Sequence, residues 1–323
     1  MTAAGGLALN FDAPVPTDGY RWWYLDAISD DGREALTCIA FIGSVFSPYY
    51  AWSGRKDPLD HVALNVALYR TGAASRWALT ERGRGQLVQT SEGLQLGPSA
   101  VEVRGDALRL TVRERGFPMP LRLSGTITVR PEVLGGAPVE LSAAGGHHWW
   151  PIAPKSRVEV AFDEPAMRWS GTGYLDSNWG AGALERDFQS WTWSRAPLKR
   201  GACVLYDVRP RGGLAEAMAL HFDGQRAERF EPPAPVPLPT SLFRIPRRTR
   251  SETTARVVRT LTDSHFYARS IVESTLRGET VWGVHESLEL DRFKAGWAKL
   301  LLPFRMPRSA GKAAGAPALH SGV

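Results

Sequence analysis

The chain reads as a succession of short stretches in which apolar and polar residues alternate. In HVALNVALYR, Val62, Leu64, Val66 and Leu68 share one face, and in ALRLTVRER, Leu108, Leu110 and Val112 do so. Leu121, Leu123, Ile127 and Val129 line up in LRLSGTITV, as do Val158, Val160 and Phe162 in RVEVAF. CVLYDVRP, ARVVRTLTD and VHESLELDR repeat the pattern. A period of two sends successive side chains to opposite sides of a pleated strand, so each stretch predicts a half-buried strand. Gly and Pro, 32 and 23 copies, punctuate the gaps. Few segments hold a helical period beyond three turns. Many short strands separated by turns predict an all-β protein built of sandwiches or barrels.

A length of 323 residues suits two such domains. PIAPKSR (151–157), with two prolines and two basic residues, reads as a break, giving domains 1–155 and 156–308. EPPAPVPLP (231–239) reads as an extended surface loop. Residues 309–323 are poor in aromatics and read as a disordered tail. The preceding RFKAGWAKLLLPFRMPR is apolar and basic together. It fits either a short helix lying at a membrane interface or a terminal element packed on the barrel. One short echo occurs: Tyr24-Leu25-Asp26 returns as Tyr174-Leu175-Asp176.

Charge and cysteine content exclude more than they suggest. The net charge is +6, with basic residues gathered in RIPRRTR (244–250) and FRMPR (304–308). The aromatics lack the interleaved Lys/Arg pattern of a nucleic-acid groove, so no nucleic-acid partner is expected. No run approaches the roughly 20 apolar residues of a spanning helix. The N-terminal stretch has neither a basic n-region nor a long apolar h-region, so no secretory signal is expected. Cys38 and Cys203 form no CxxC pair and read as buried, reduced thiols of a cytoplasmic protein. The unusual feature is aromatic: 12 Trp, 12 Phe and 8 Tyr. They cluster at Trp22-Trp23-Tyr24, at Trp149-Trp150, and at Trp169, Trp179, Trp191 and Trp193.

The familiar catalytic motifs are missing. There is no GxSxG elbow, Walker loop, HExxH or CxxC, and GTGYLD lacks the third glycine of a dinucleotide fingerprint. His147 and His148, as neighbours on a strand, point to opposite faces and do not chelate together, so no metal is expected. What remains is a polar-aromatic constellation over 145–179, in GGHHWWPIAP and GTGYLDSNWG. Tyr174, Asp176 and Asn178 share one face of a strand, and so do His147 and Trp149. Either this is a site with displaced pKa values in an apolar enclosure, or an Asp–Asn turn packed among aromatics. Weaker candidates are His61, which heads a strand and reads as exposed, Tyr267 and Arg269 facing a cavity together, and His285 and Glu286 as a surface pair. Asp26, beside Trp22 and Trp23, stays open.

At these residues the sequence resembles the carotenoid 1,2-hydratases, also known as hydroxyneurosporene synthases. The resemblance is carried by AFIGSVFSPYYAW (40–52), HVALNVALY (61–69), HHWWPIAP (147–154), GYLDSNWG (173–180), WTWSRA (191–196), LYDVR (205–209), FYARS (266–270), HESLELDRF (285–293) and LLPFRMPR (301–308). It implies two lipocalin-like β-domains in tandem and addition of water across the terminal 1,2 double bond of an acyclic carotenoid, with no cofactor. The substrate class is of the lycopene or neurosporene type. The resemblance carries catalytic roles onto His147, Trp149, Tyr174 and Asp176, with His148 and Trp150 as a second register. Trp179, Trp150, Tyr267 and Trp23 are then candidates for substrate binding. Two other readings remain, a non-catalytic isoprenoid carrier and a cofactor-free isomerase or cyclase.

The chemistry explains why such residues are needed. Hydrating an isolated alkene requires a proton on the less substituted carbon, leaving a tertiary carbocation. A carboxylic acid donates that proton only if it stays neutral. A free Asp has a pKa of about 3.9, and burial raises it by up to ~3–5 units. Asp176 is the expected donor. Trp149 and Tyr174 offer π faces to the cation, worth ~2 kcal/mol or more each once water is excluded. His147 orients water and accepts its proton, or Tyr174 holds the proton on Asp176. A basic, apolar C-terminal segment suits a peripheral membrane enzyme on the cytoplasmic side.

Overall fold

The structure is a computed structural model, and it describes residues 7–141, 146–224 and 226–309. The chain falls into two compact units that are not consecutive halves. One comprises Met1–Pro131, Ser156–Ala181 and Leu301–Val323, the other Glu132–Lys155 and Gly182–Leu300. The expected division at 155/156 is therefore one of four crossings. That crossing falls within PIAPKSR, as read, but inside a single strand, His147–Glu164, and not in a loop. Proline's fixed φ suits an extended strand and costs only a ladder donor.

In the first unit, strands Tyr20–Ser29, Glu34–Ile42, Val62–Arg70 and Arg76–Arg82 form an antiparallel meander. Ala166–Gly180 flanks its first strand, and the two-residue strand Arg308–Ser309 closes its far edge in parallel. The same sheet continues through His147–Glu164, Arg122–Val133, Ala107–Arg115, Ser99–Arg104, Gly93–Leu96 and Leu87–Gln89. Alternation decides the faces. In Ala107–Arg115, Leu108, Leu110 and Val112 are buried while Arg109 and Arg113 are exposed. Tyr20–Ser29 breaks the rule, being buried at all ten positions. One of its faces continues the ladder Leu25, Cys38, Val66 and Ala78. The other carries Tyr24, Ile39, Asn65 and Leu79.

A buried ion pair lies on the aliphatic side of the first unit. Arg82 Nη2 donates to Glu114 Oε2 at 2.7 Å, and Ser99 Oγ donates to Glu114 Oε1 at 2.7 Å. Burial pushes the Glu114 carboxyl above its ordinary value, and Arg82 and Ser99 hold it back. Gly97 sits under the guanidinium at φ +62°, where a Cβ would lie 2.5 Å from Arg82 Nε. Only glycine takes both that conformation and that approach.

The second unit is built on Ala227–Phe230, Glu216–Phe222, Ala202–Pro210, Phe188–Pro197, Glu279–Glu289, Tyr267–Leu276 and Arg256–Asp263, paired in that order. EPPAPVPLP is not simply a loop, because Pro235–Leu238 pairs with Arg247–Arg250 in a two-stranded ribbon. Such an isolated edge tolerates missing N–H groups. VHESLELDR ends as a strand at Glu289 and turns into the helix Leu290–Lys294. The helix Gly296–Leu301 and the 3-10 turn Leu302–Phe304 follow. Within this segment Phe293 and Ala298 are buried, while Trp297, Leu300, Leu301 and Phe304 are exposed. Ser309, expected in the tail, belongs to a strand, and residues 310–323 lie outside the described residues.

Three polar expectations are corrected. His61 is buried, with Nδ1 2.8 Å from Glu81 Oε1, and Arg308 binds Glu81 and, at 2.7 Å, Asp60. His285 is buried rather than superficial. Glu286 pairs with Arg269 at 2.7 Å. In each case a neighbouring strand supplies an ionic or apolar cover that strand position alone does not reveal.

Removing one partner of a buried pair strands the other. Arg82→Ala should cost ~3–5 kcal/mol in urea melts, and Arg82→Met with Glu114→Met much less. Equal losses in the two proteins would contradict the pair's role.

Candidate active site

The site builds on the ladder between Tyr20–Ser29 and Ala166–Gly180. Its register sets Tyr24 opposite Asp176, Leu25 opposite Leu175, and Asp26 opposite Tyr174. Paired residues project to the same side, so Tyr24, Asp26, Tyr174 and Asp176 share one face. It is the face opposite the Leu25–Cys38–Val66 ladder. The Tyr174 hydroxyl donates to Asp176 Oδ2 at 2.8 Å, and the Tyr24 hydroxyl donates to Asp26 Oδ2 at 3.0 Å. The two tyrosine rings meet edge to face with centroids 6.2 Å apart. Tyr174 is wholly buried, and Asp26 and Asp176 are 1% and 4% exposed. Asn178, two residues on, is buried on the same face opposite Trp22.

The other face of this ladder holds Trp23 and Trp179. The Arg21 guanidinium lies between them, 5.0 Å from the Trp23 ring centroid and 4.9 Å from that of Trp179. Burial pushes Arg21 down to about 10, with Asp12 opposing. The structure therefore does not bring Trp23 or Trp179 together with Asp176. They form a cation–π sandwich behind the strands.

His147 and Trp149 belong to the second unit. His147 Nε2 lies 2.7 Å from Asp187 Oδ2, and its ring packs edge-on against Phe188, centroids 4.9 Å apart. Burial holds His147 below the ordinary imidazole range despite the raising pull of Asp187. At Asp187, burial works upward, but hydrogen bonds from His147 and Arg186 outweigh it and keep the carboxyl below its usual range. The pair is thus a neutral imidazole donating from Nε2 to a carboxylate, which leaves the ring's lone pair on Nδ1. Trp149 is fully buried against Tyr206, ring centroids 5.4 Å apart, and Trp191 packs on the same tyrosine at 6.3 Å. His148 and Trp150 alternate to the other side, where Trp150 Nε1 donates to the Gly136 carbonyl at 2.9 Å. Tyr267 lies under the Arg269 guanidinium, 5.4 Å from its ring centroid, so those two do share a face. Among the described residues no group of three or more His, Cys, Asp or Glu is placed to hold a metal ion.

A family model described as Carotenoid hydratase CrtC matches residues 38–315. The chain belongs to the carotenoid hydratase family. It is 52% identical over 308 residues to the acyclic carotenoid 1,2-hydratase of Thiocapsa roseopersicina, covering 93% of this chain and 76% of that protein. It is 48% identical over 313 residues to the acyclic carotenoid 1,2-hydratase of Rubrivivax gelatinosus, covering 94% and 77%. Among solved structures, a putative AttH from Nitrosomonas europaea matches with a TM-score of 0.62 at 16% identity, over 89% of this chain and 98% of that one. Kievitone hydratase from Nectria haematococca matches at 0.53 and 12%, over 88% and 93%. These distant likenesses show the shared lipocalin-like β fold.

In this member of the carotenoid hydratase family, the sequence assigned no role to Asp187, Tyr206 or Tyr24. Asp187 lies 40 positions from His147, and no periodicity links the two. The repeated Tyr-Leu-Asp was a signal for Tyr24 and Asp26, and its meaning lies in the register. The His147–Asp187 geometry makes a spectroscopic prediction. Nitrogen-15 NMR at pH 7 should show the His147 ring neutral and protonated on Nε2. An imidazolium at that pH would contradict the assignment.

Proposed function

We propose that the chain adds water to the terminal 1,2 double bond of an acyclic carotenoid, with Asp176 as the proton donor. The observation that supports this most is a carboxyl almost sealed from water, 4% exposed, with a tyrosine hydroxyl 2.8 Å from its Oδ2. Burial favours the neutral form of a carboxyl, the form that has a proton to give. Asp176 delivers it to C2, forming the C–H bond and leaving a tertiary cation at C1. The resulting carboxylate stabilises the cation. The π face of Tyr174 suits the same task. Water forms the C1–O bond and releases a proton. His147, held by Asp187, and Trp149 remain proposed catalytic residues, His147 as the base that takes this proton. Tyr267 and Trp150 remain proposed substrate contacts. The product is a 1-hydroxy end group, and no redox step enters the balance.

Peripheral docking on the cytoplasmic face of a membrane is part of the same proposal. No helix among the described residues is long and apolar enough to cross a bilayer. In the second unit, Leu242, Phe243, Trp297 and Leu300 are 87%, 49%, 54% and 64% exposed. Arg292 ties their segments together by donating to the carbonyls of Phe243 and Arg244, at 2.8 and 2.9 Å. The His265 and Trp297 rings lie 4.7 Å apart. Exposed apolar anchors beside Arg244, Arg292, Lys294 and Lys299 suit an anionic interface.

Incubation with lycopene in H₂¹⁸O should give a product heavier by one labelled water, and Asp176→Asn should lower the rate by at least ~10² while pigment binding persists. Binding without any water gain would favour a carrier, and an unlabelled isomer would favour an isomerase. In flotation assays the protein should rise with anionic vesicles more than with neutral ones, and Leu242→Ser with Trp297→Ser should cut that fraction several-fold. Indifference to vesicle charge and to both substitutions would remove the membrane proposal.

A further inference from the structure

The turn between Ala107–Arg115 and Arg122–Val133 reads Gly-Phe-Pro-Met-Pro-Leu. Surface turns are ordinarily built from polar residues, glycine and proline. Here Phe117, Met119 and Leu121 are 40%, 67% and 44% exposed. The tip satisfies much of its own backbone. The Gly116 N–H donates to the Leu121 carbonyl and the Leu121 N–H to the Met119 carbonyl, both at 2.8 Å. Pro118 and Pro120 have no N–H to satisfy. Unpaired backbone donors are what make transfer from water into an apolar phase costly, and this turn carries few.

Basic residues collar the tip. Arg115 and Arg122 end the ladder as a directly opposed pair, and Arg113 lies one step behind on the same exposed face. Like charges directly opposite each other destabilise a β-pair, so folding alone gives no reason for them. Arg76 brings a fourth guanidinium by donating from Nη1 to the Arg122 carbonyl at 3.1 Å. Glu164, 3.8 Å from Arg122, offsets part of one charge across an exposed contact. Among the described residues no carboxylate pairs with Arg76, Arg113 or Arg115. The C-terminal segment of the same unit reaches this end of the hairpin. A Cβ at Gly116 would lie 2.9 Å from the Trp77 carbonyl, and the Arg305 guanidinium lies over the Trp77 ring, 5.1 Å from its centroid. Phe304, next to Arg305, is 68% exposed, while Met306 is buried and holds the segment down.

We propose that the tip at residues 116–121 inserts into an anionic bilayer, with Phe117, Met119 and Leu121 below the headgroups and Arg76, Arg113, Arg115 and Arg122 on the lipid phosphates. This deepens the membrane reading and is independent of the acid chemistry assigned to Asp176. It uses no residue of the second-unit patch around Leu242 and Trp297. Charge complementarity selects the partner. Guanidinium forks match phosphate oxygens, and a lipid surface offers phosphates and an apolar phase side by side. A phosphate held between Arg115 and Arg122 relieves their repulsion, and each Arg near an anionic surface adds to the attraction.

The test places a polarity-sensitive nitrobenzoxadiazole label on the thiol of Met119→Cys. Cys38 and Cys203 are buried, so the new thiol is the one that reacts. Phosphatidylglycerol vesicles should raise the emission several-fold and shift it to the blue, and nitroxide-bearing lipids should quench it. Phosphatidylcholine vesicles and inorganic phosphate should do neither. Phe117→Ser with Leu121→Ser should lower the vesicle-bound fraction several-fold. Arg115→Gln with Arg122→Gln should erase the preference for anionic vesicles and leave Tm unchanged or higher, because an opposed pair of like charges is gone. Protein that floats with anionic vesicles while the label stays aqueous would overturn the hairpin anchor and leave the second-unit patch standing. Failure to float at all would remove both. Emission that rises with protein concentration alone would assign the tip to a second copy of the chain, and a response to inorganic phosphate would assign the arginines to a soluble anion. Either result overturns the proposal.

Discussion

Two carboxyl groups sit on one buried face of a β-ladder, and much else in the first unit keeps them there. A carboxyl is at ease in water, and each one here has given up nearly all of it. What compensates is local and specific: a tyrosine hydroxyl for each aspartate, two residues away on the same strand. The arrangement exists only in one register. Since side chains alternate, sliding Tyr20–Ser29 by one residue against Ala166–Gly180 would drive Tyr24 and Asp26 into the aliphatic core and turn Leu25 toward the polar face. Leu25 and Leu175, packed toward the aliphatic ladder between the two aspartates, make that slip costly.

Other buried polar contacts in the first unit are satisfied just as locally. Behind the ladder, Arg21 between Trp23 and Trp179 binds the two strands across their other face through ring contacts. At the far edge of the meander, Arg308 gathers Glu81 and Asp60 and secures the closing strand. Inside, Arg82, Ser99 and Glu114 satisfy a charge that an aliphatic sandwich would otherwise reject. The second unit has its own version of the same economy. Asp187 fixes the tautomer of His147, Phe188 fixes its plane, and Tyr206 supports both Trp149 and Trp191. In each unit a buried polar side chain is held in place by a neighbour.

Much of the architecture was legible in the sequence because alternation records a half-buried strand directly. Val62 to Leu68, Leu108 to Val112 and Val158 to Phe162 all lie where the period of two places them. Tyr20–Ser29 was harder: a strand buried on both faces loses the alternation that marks a strand. PIAPKSR does hold a boundary between the units, at 155/156, but within one extended strand, which accepts proline. His61 and His285 were misplaced because burial of a polar side chain depends on partners such as Glu81 that are distant in sequence. The Tyr-x-Asp pattern announced itself in GYLDSNWG and in the echo at Tyr24. That the two copies face each other was not legible, since register belongs to the pairing of strands and not to either strand alone. Asp187 escaped notice for a related reason, as nothing in its local sequence points to His147.

The central claim is that a carboxyl at position 176 keeps its proton at neutral pH. Infrared difference spectroscopy between wild type and Asp176→Asn, both at pH 7 and read in the protonated-carboxyl stretching region, addresses that claim without substrate or turnover. The account predicts a protonated-acid band in the wild type that the substitution removes. A difference spectrum containing only the loss of an ionised carboxylate would contradict it.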